Sequence, residues 1–302
     1  VSDINPQTPF DTDLLRRRRE RAAAHWDKFN FLKARVAVEL AERLLDANRT
    51  FETGLDVGAH SGELRSPLLA TGKLASLFHA DSSAAMLAAG TSPAVVMNEE
   101  HLAVGDAQVD FVCSALALHR LNDLPGALIQ IRRALKPDGL FLGALFGGET
   151  LHELRSALAE AEAEIEGGVS PRIFPFADVR DVGGLMQRAG FALPVVDADR
   201  QLVTYENVFG LIRDLRGMGE TNALNARRRK PLRRATLMRL AEIYAERFST
   251  PDGRITATFQ IIYAAGWSPH ESQQQPLRRG SATQRLADAL NADEIETGDK
   301  PQ

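Results

Sequence analysis

The stretch Gly54-Leu55-Asp56-Val57-Gly58-Ala59-His60-Ser61-Gly62-Glu63-Leu64 places an acid near the end of an apolar run, then a glycine turn, then residues able to open a helix. A strand-to-helix turn of this kind offers backbone N–H groups and a carboxylate to a nucleotide-like ligand. A dinucleotide site asks for G-x-G-x-x-G, but these positions hold Gly58, His60 and Glu63, so two of the three fail. The pattern D/E-x-G-x-G-x-G admits an adenosine joined to an amino acid and has no pyrophosphate to cradle. Asp56, Gly58 and Gly62 meet it, with His60 in the middle glycine's place. The turn therefore points to S-adenosyl-L-methionine (SAM).

Other residues extend this site. Asp81 lies about 20 residues beyond the turn, where a Rossmann-like fold places an acid on ribose hydroxyls, and Ser82 follows it. The other reading of Asp81 is a cap for the alanine-rich run Ala84 to Ala89, and both roles can hold together. Asn98 and Glu99 follow a short third strand and are placed to meet the adenine, or form a polar surface loop. Ser114, Leu116 and His119 leave the fourth strand at its carboxyl end, so they face cofactor or substrate. His119 is the candidate base, against the plainer reading of a loop histidine, and His152 has a weaker claim. His79-Ala80-Asp81 offers half of an iron site, but the ribose role already explains Asp81, so no metal is expected.

The elements that position these residues follow from periodicity. Phe10 to Asn48 reads as helix, with Phe29, Leu32, Val36, Leu40 and Leu44 at spacings of three and four, and residues 1–50 are expected to form a helical lid. Arg16 to Arg19 read as its solvated face rather than a grip on an acidic partner. Strands are expected around Gly54, then at Leu74 to Ala80, Ala94 to Met97, Val109 to Ser114, Leu140 to Phe146, Pro194 to Tyr205 and Thr256 to Trp267. Lys136-Pro137-Asp138-Gly139 reads as the turn before the fifth strand. The expectation is an α/β, Rossmann-like, seven-stranded class I methyltransferase fold, with a mostly parallel sheet and helices on both faces. Its domain spans residues 51–267 with a basic helical insertion at 206–249, and a polar arm follows at 268–302.

A charged fraction of 25% and a net charge of −4 suit a globular domain and argue against a general nucleic-acid binder. No apolar run approaches the roughly 18 to 20 residues of a membrane helix, and Val1 to Phe10 carries no secretory pattern. One cysteine, Cys113, excludes an internal disulfide and leads to the expectation of a cytoplasmic setting, at most peripheral to a membrane through a client.

Further blocks carry a resemblance. They include Phe10-Asp11, Phe31-Leu32-Lys33, Asn122 to Pro125, Phe146 to Leu151, Arg188 to Phe191, Gly217 to Asn222, Gly266-Trp267, His270 to Gln273 and Arg279 to Thr283. In these the chain closely resembles the methyltransferase-like complex I assembly factor of mitochondria and its bacterial relatives, a family within the SAM-dependent methyltransferase superfamily. The resemblance implies a SAM-binding fold acting on a protein, an arginine of an iron-sulfur subunit of NADH:quinone oxidoreductase, by hydroxylation rather than methylation. Two departures stand out: Ala59 and His60 replace the family's G-C-G-x-G turn, and Asn98 stands at its acidic position. A small-molecule methyltransferase and a non-catalytic assembly scaffold are the alternatives.

Overall fold

The computed structural model describes residues 8–90 and 92–274, with Asp288 and Ala292. Its contacts divide into a unit over Val1–Pro269 and a smaller one over His270–Gln302. In the smaller unit, His270 Nδ1 and Ser272 Oγ lie 2.7 Å apart; the block Arg279 to Thr283 and most of the expected polar arm lie outside the described residues.

Seven strands form one sheet in the first unit: β1 Phe51–Val57, β2 Leu74–Asp81, β3 Ala94–Val96, β4 Val109–Ala115, β5 Leu135–Phe146, β6 Ala192–Tyr205 and β7 Ile255–Trp267. Their order is β3-β2-β1-β4-β5-β7-β6, with β7 antiparallel to both neighbours and the other pairings parallel. The chain reverses direction across the sheet between β1 and β4, and a crevice opens there beyond the strands' carboxyl ends. β4 is buried along its whole length, as a central strand covered on both faces must be.

Alternate β4 side chains feed two cores. Phe111 joins Leu40, Leu68 and Phe259, while Val112 joins Leu128, Ile131 and Met186. Each such side chain taken from water contributes roughly 1.5–3 kcal/mol. The helices that close these cores are α1 Thr12–Ala22, α2 Phe31–Leu45, α3 Arg65–Ala70, α4 Ala84–Ala88, α5 Leu124–Ala134, α6 His152–Glu166, α7 Val179–Arg188, α8 Val208–Gly217 and α9 Arg234–Phe248. Asp123 caps α5 through the Gly126 N–H at 2.8 Å, and Asp178 with Asp181 forms a capping box on α7.

Two expected elements differ in detail. The N-terminal helix is not continuous, because a 3-10 turn over Ala23–Lys28, kinked at His25, separates α1 from α2. Residues 136–139 form a bulge inside β5 rather than a turn before it. Pairing with β4 begins at Leu135, is interrupted, and resumes at Leu140, with Asp138 at φ 60°. In the insertion, Arg227 pairs with Asp11 at 3.0 Å, while Arg228 and Arg233 pair with Glu166 at 2.8 and 3.3 Å, leaving Arg229 and Lys230 exposed.

Candidate functional site

The glycine turn folds as it does because its neighbours leave no room. Gly58 has φ 72°, and a Cβ there would sit 2.2 Å from the Ala117 Cβ. Gly62 also has positive φ, 89°, as does His60 at 54°. The His60 N–H donates to Asp81 Oδ2 at 3.0 Å, which binds the turn to the end of β2. His60 thus occupies a glycine-like conformation, held by that bond and by its ring stacked on Trp26 at 4.8 Å. Asp81 is not the helix cap: Ser83 caps α4, and the Ser83 N–H itself donates to Asp81 Oδ1 at 2.7 Å. The acid therefore ties the glycine turn to the segment that opens α4, from the carboxyl end of β2.

Glu99, rather than Asn98, is the residue turned inward after β3. Asn98 is exposed and accepts from the Glu100 N–H at 2.9 Å, whereas Glu99 is buried beside Asp81. An acid therefore does meet the site here, one residue beyond the position where the resemblance places it. Ser114 does not face the crevice; its hydroxyl donates to Val57 O at 2.7 Å, stitching β4 to β1. Asp56 is likewise held within the sheet, 3.1 Å from His79 Nδ1. Leu116, at φ 50°, lines a small cavity with His60 and Phe146.

Three cations that the sequence reading did not assign complete the site. Arg19, expected on a solvated face, is buried; its guanidinium lies 2.8 Å from Glu99 Oε1 and 3.2 Å from Asp81 Oδ2, and it donates to the Ser82 hydroxyl. Burial pulls Arg19 down, but Glu99 and Asp81 outweigh it and secure the charge. The Lys33 ammonium donates to Gly58 O at 2.7 Å and Ala115 O at 2.9 Å and lies 2.7 Å from His60 Nδ1. Burial lowers its pKa against the pull of Asp56, Glu63 and Asp81. Burial first, then Lys33 and Arg120, hold His60 well below the usual histidine range, so its ring is neutral. Arg120, on the 3-10 turn after β4, pairs with Glu220 at 3.0 Å.

Glu220 enters from the loop after α8, where Gly219 takes φ 77°. Its other oxygen lies 3.3 Å from His119 Nε2. Burial would raise Glu220, but Arg120 and His119 reverse that and bring it down to about 2. His119 is buried between Phe146 and Phe176 at 4.8 and 5.7 Å, and burial lowers its pKa despite Glu220. Its Nδ1 has no hydrogen-bond partner among the described residues. Helical spacing carried a signal for the missed cations: Arg19 follows Leu15 by four, and Lys33 precedes Ala37 by four, both on buried stripes.

A sequence profile described as "Methyltransferase domain" matches residues 24–194. The chain belongs to this methyltransferase family. "Arginine-hydroxylase NDUFAF5, mitochondrial" of Danio rerio is 43% identical over 287 residues, which cover 92% of this chain and 88% of that protein. The Homo sapiens protein of the same name is 43% identical over 91% of this chain and 81% of its own length. "Malonyl-[acyl-carrier protein] O-methyltransferase" of Halorhodospira halophila is 35% identical, covering 85% of this chain and 88% of its own. Among solved structures, the YcgJ protein from Bacillus subtilis has a TM-score of 0.54 at 14% identity, over 78% of this chain and 99% of that one, which bears on the fold alone.

These relatives correct one expectation. The arginine-hydroxylases are named mitochondrial, so the cytoplasmic setting inferred from a single cysteine is overturned; one cysteine is compatible with any reducing compartment and does not choose among them. No helix among the described residues is long and apolar enough to cross a membrane.

SAM is the cofactor of the methyltransferase fold, and the donor set suits it. Asp81 and Glu99 are two buried carboxylates able to accept from ribose hydroxyls, while Gly58 O and Ala115 O are acceptors for an ammonium. A cavity of about 310 Å³ lies beside Glu99 and Ser82, at the lower end of ligand-site sizes.

Proposed function

We propose that this chain is a SAM-dependent enzyme that modifies an arginine of a protein client, an iron-sulfur subunit of NADH:quinone oxidoreductase. The observation that carries the reading is the convergence of Asp81 and Glu99 on one guanidinium beside the Gly58 turn, at the carboxyl ends of β2 and β3. Such a pair accepts hydroxyl donors at the point where α/β sheets hold nucleosides. The substrate side rests on the arginine-hydroxylases that the chain resembles over most of its length.

Asp81, Ser82 and Glu99 would hold the adenosine, and the Gly58–Gly62 turn with Ala115 O would hold the amino-acid end. When bound, SAM supplies a sulfonium-activated methyl group, so the chain's own task is to orient an acceptor and take up a proton. His119 suits the second part. It is neutral, its Nδ1 is free to accept among the described residues, and Glu220 on Nε2 would stabilise the imidazolium that results. Ser114 and Asp56 act as sheet ties in this reading.

A second reading, methyl transfer to a carrier-bound carboxylate, is favoured by the O-methyltransferase at 35% identity. Mass spectrometry of the client isolated from cells with and without this protein separates oxygen addition from methyl transfer. A gain of about 16 mass units marks an added oxygen, and about 14 marks a methyl group. A client left unmodified while its assembly still requires the protein would sink the enzymatic reading in favour of a scaffold.

A further inference from the structure

The groups that would hold the cofactor are already satisfied by cations of the chain's own N-terminal segment. Arg19 of α1 takes Asp81, Glu99 and the Ser82 hydroxyl, the acceptors suited to ribose. Lys33 of α2 takes Gly58 O and Ala115 O, the acceptors suited to an α-ammonium. Trp26 lies flat on His60 between them, and the cavity under it is only about 20 Å³, room for one water. The larger cavity continues past Arg19 toward Asn98 and Leu121, so the guanidinium stands as a wall across the site.

The segment that does this is seated by a few buried apolar side chains, Phe10, Leu15, Ala22 and Trp26, and by polar contacts that can be exchanged. The Phe10 N–H donates to Asn122 Oδ1 at 2.8 Å, Asp11 pairs with Arg227, and Trp26 donates to the Glu63 carboxylate. The blocks Phe10-Asp11, Asn122 to Pro125 and Gly217 to Asn222 meet here. A Cβ on Gly217 would lie 2.3 Å from the Phe29 ring, and one on Gly219 would lie 3.6 Å from Arg19. By contrast α2 from Val36 onward is fixed in the core, with Val36, Leu40 and Leu44 fully buried. Between the two lie the kink at His25 and a start of α2 at which Asn30 makes no side-chain cap. Those residues form a natural hinge.

We propose that α1 and the turn after it are an internal competitor for the cofactor site, Arg19 standing in for the ribose hydroxyls and Lys33 for the ammonium. The inference rests on the cofactor reading above. SAM then enters by displacing α1 as a body, with Arg19 and Trp26 leaving together and the long Lys33 stem swinging aside alone. A conventional lid tightens when ligand arrives; this one loosens. Apparent affinity is reduced by the fraction of molecules that are closed, so removing the competitor strengthens binding.

The test is hydrogen exchange of the α1 amides in the unmodified protein with and without excess S-adenosylhomocysteine, alongside calorimetric titration of the same ligand into the protein and into Arg19→Met. The expected results are faster α1 exchange when ligand is bound and affinity at least about tenfold higher in Arg19→Met. Slower α1 exchange on binding, or weaker binding by Arg19→Met, overturns the proposal while leaving the cofactor reading intact. Should Arg19→Met fail to fold, the exchange result in the unmodified protein decides alone. Ligand that binds neither protein at millimolar concentration removes both readings together.

Discussion

Replacing Glu220 by Gln is the sharpest probe of the site, because it changes a charge and almost no volume. Glu220 is largely but not fully buried, with Arg120 at 3.0 Å and His119 at 3.3 Å, and its pKa is brought from the usual 4.5 down to about 2. A shift of that size corresponds to about 3 kcal/mol of preference for the charged form in the folded state. Arg120 cannot neutralise itself when the carboxylate goes, so the variant keeps a buried guanidinium whose nearest counter-charge is lost, a loss of about 3–5 kcal/mol. The two routes agree, and for a domain of this size they correspond to a midpoint lowered by roughly 6–12 °C. The sign with pH follows. A lowered folded pKa contributes stability that is complete above 4.5 and lost as pH falls toward 2, so parent and variant should converge over that window. Urea unfolding at pH 7 and at pH 3 measures both. A variant within about 0.5 kcal/mol of the parent at pH 7 would show that Glu220 does not support Arg120, and the account of this cluster would fail.

Other expectations follow from the same geometry. Gly58→Ala must place a Cβ 2.2 Å from Ala117 at a φ of +72°, so it should cost several kcal/mol and abolish SAM binding, measured by denaturation and calorimetry. Ser114→Ala removes one buried hydrogen bond to Val57 O, so stability should fall by about 1 kcal/mol with ligand affinity unchanged; a large affinity loss would return Ser114 to the site. His60 and His119 are both held neutral by burial, so below pH 6.5 the unfolded chain takes up protons first. Stability should then fall as pH drops, by up to about 1.4 kcal/mol per unit for each ring, and a double His→Gln variant should flatten that slope.

Much of this was legible from local pattern. The seven strands fall where alternation and β-branched content place them, because each strand's burial is set by its own two faces. Asp81 enters the proposed site through its distance from the turn, and His119 through its exit from β4. What escaped was whatever depends on chain segments meeting from afar. Arg19 reaches Asp81 across 62 positions and Glu99 across 80, and Glu220 reaches His119 across 101. Within α1 an arginine among four in a row carries no mark of burial except its phase relative to Leu15 and Ala22. Ser114 was misjudged for the opposite reason: its strand ends at the crevice, but a hydroxyl in a sheet finds a neighbouring carbonyl first. The bulge at 136–139 was hidden because proline, aspartate and glycine announce a reversal equally well inside a strand as before one.

The position of β7 carries a consequence for how the chain is made. It is the last of the described strands to leave the ribosome, yet it lies between β5 and β6. Until Ile255–Trp267 emerge, β5 and the fourteen-residue β6 both display open backbone edges, and β6 also carries the exposed apolar side chains of Leu193, Val195 and Leu202. Open edges of this kind pair with whatever strand is nearest. Chains cut short before Trp267 should therefore collect as insoluble aggregates rather than as smaller soluble folds, and during synthesis the nascent chain should depend on protection until its final strand arrives.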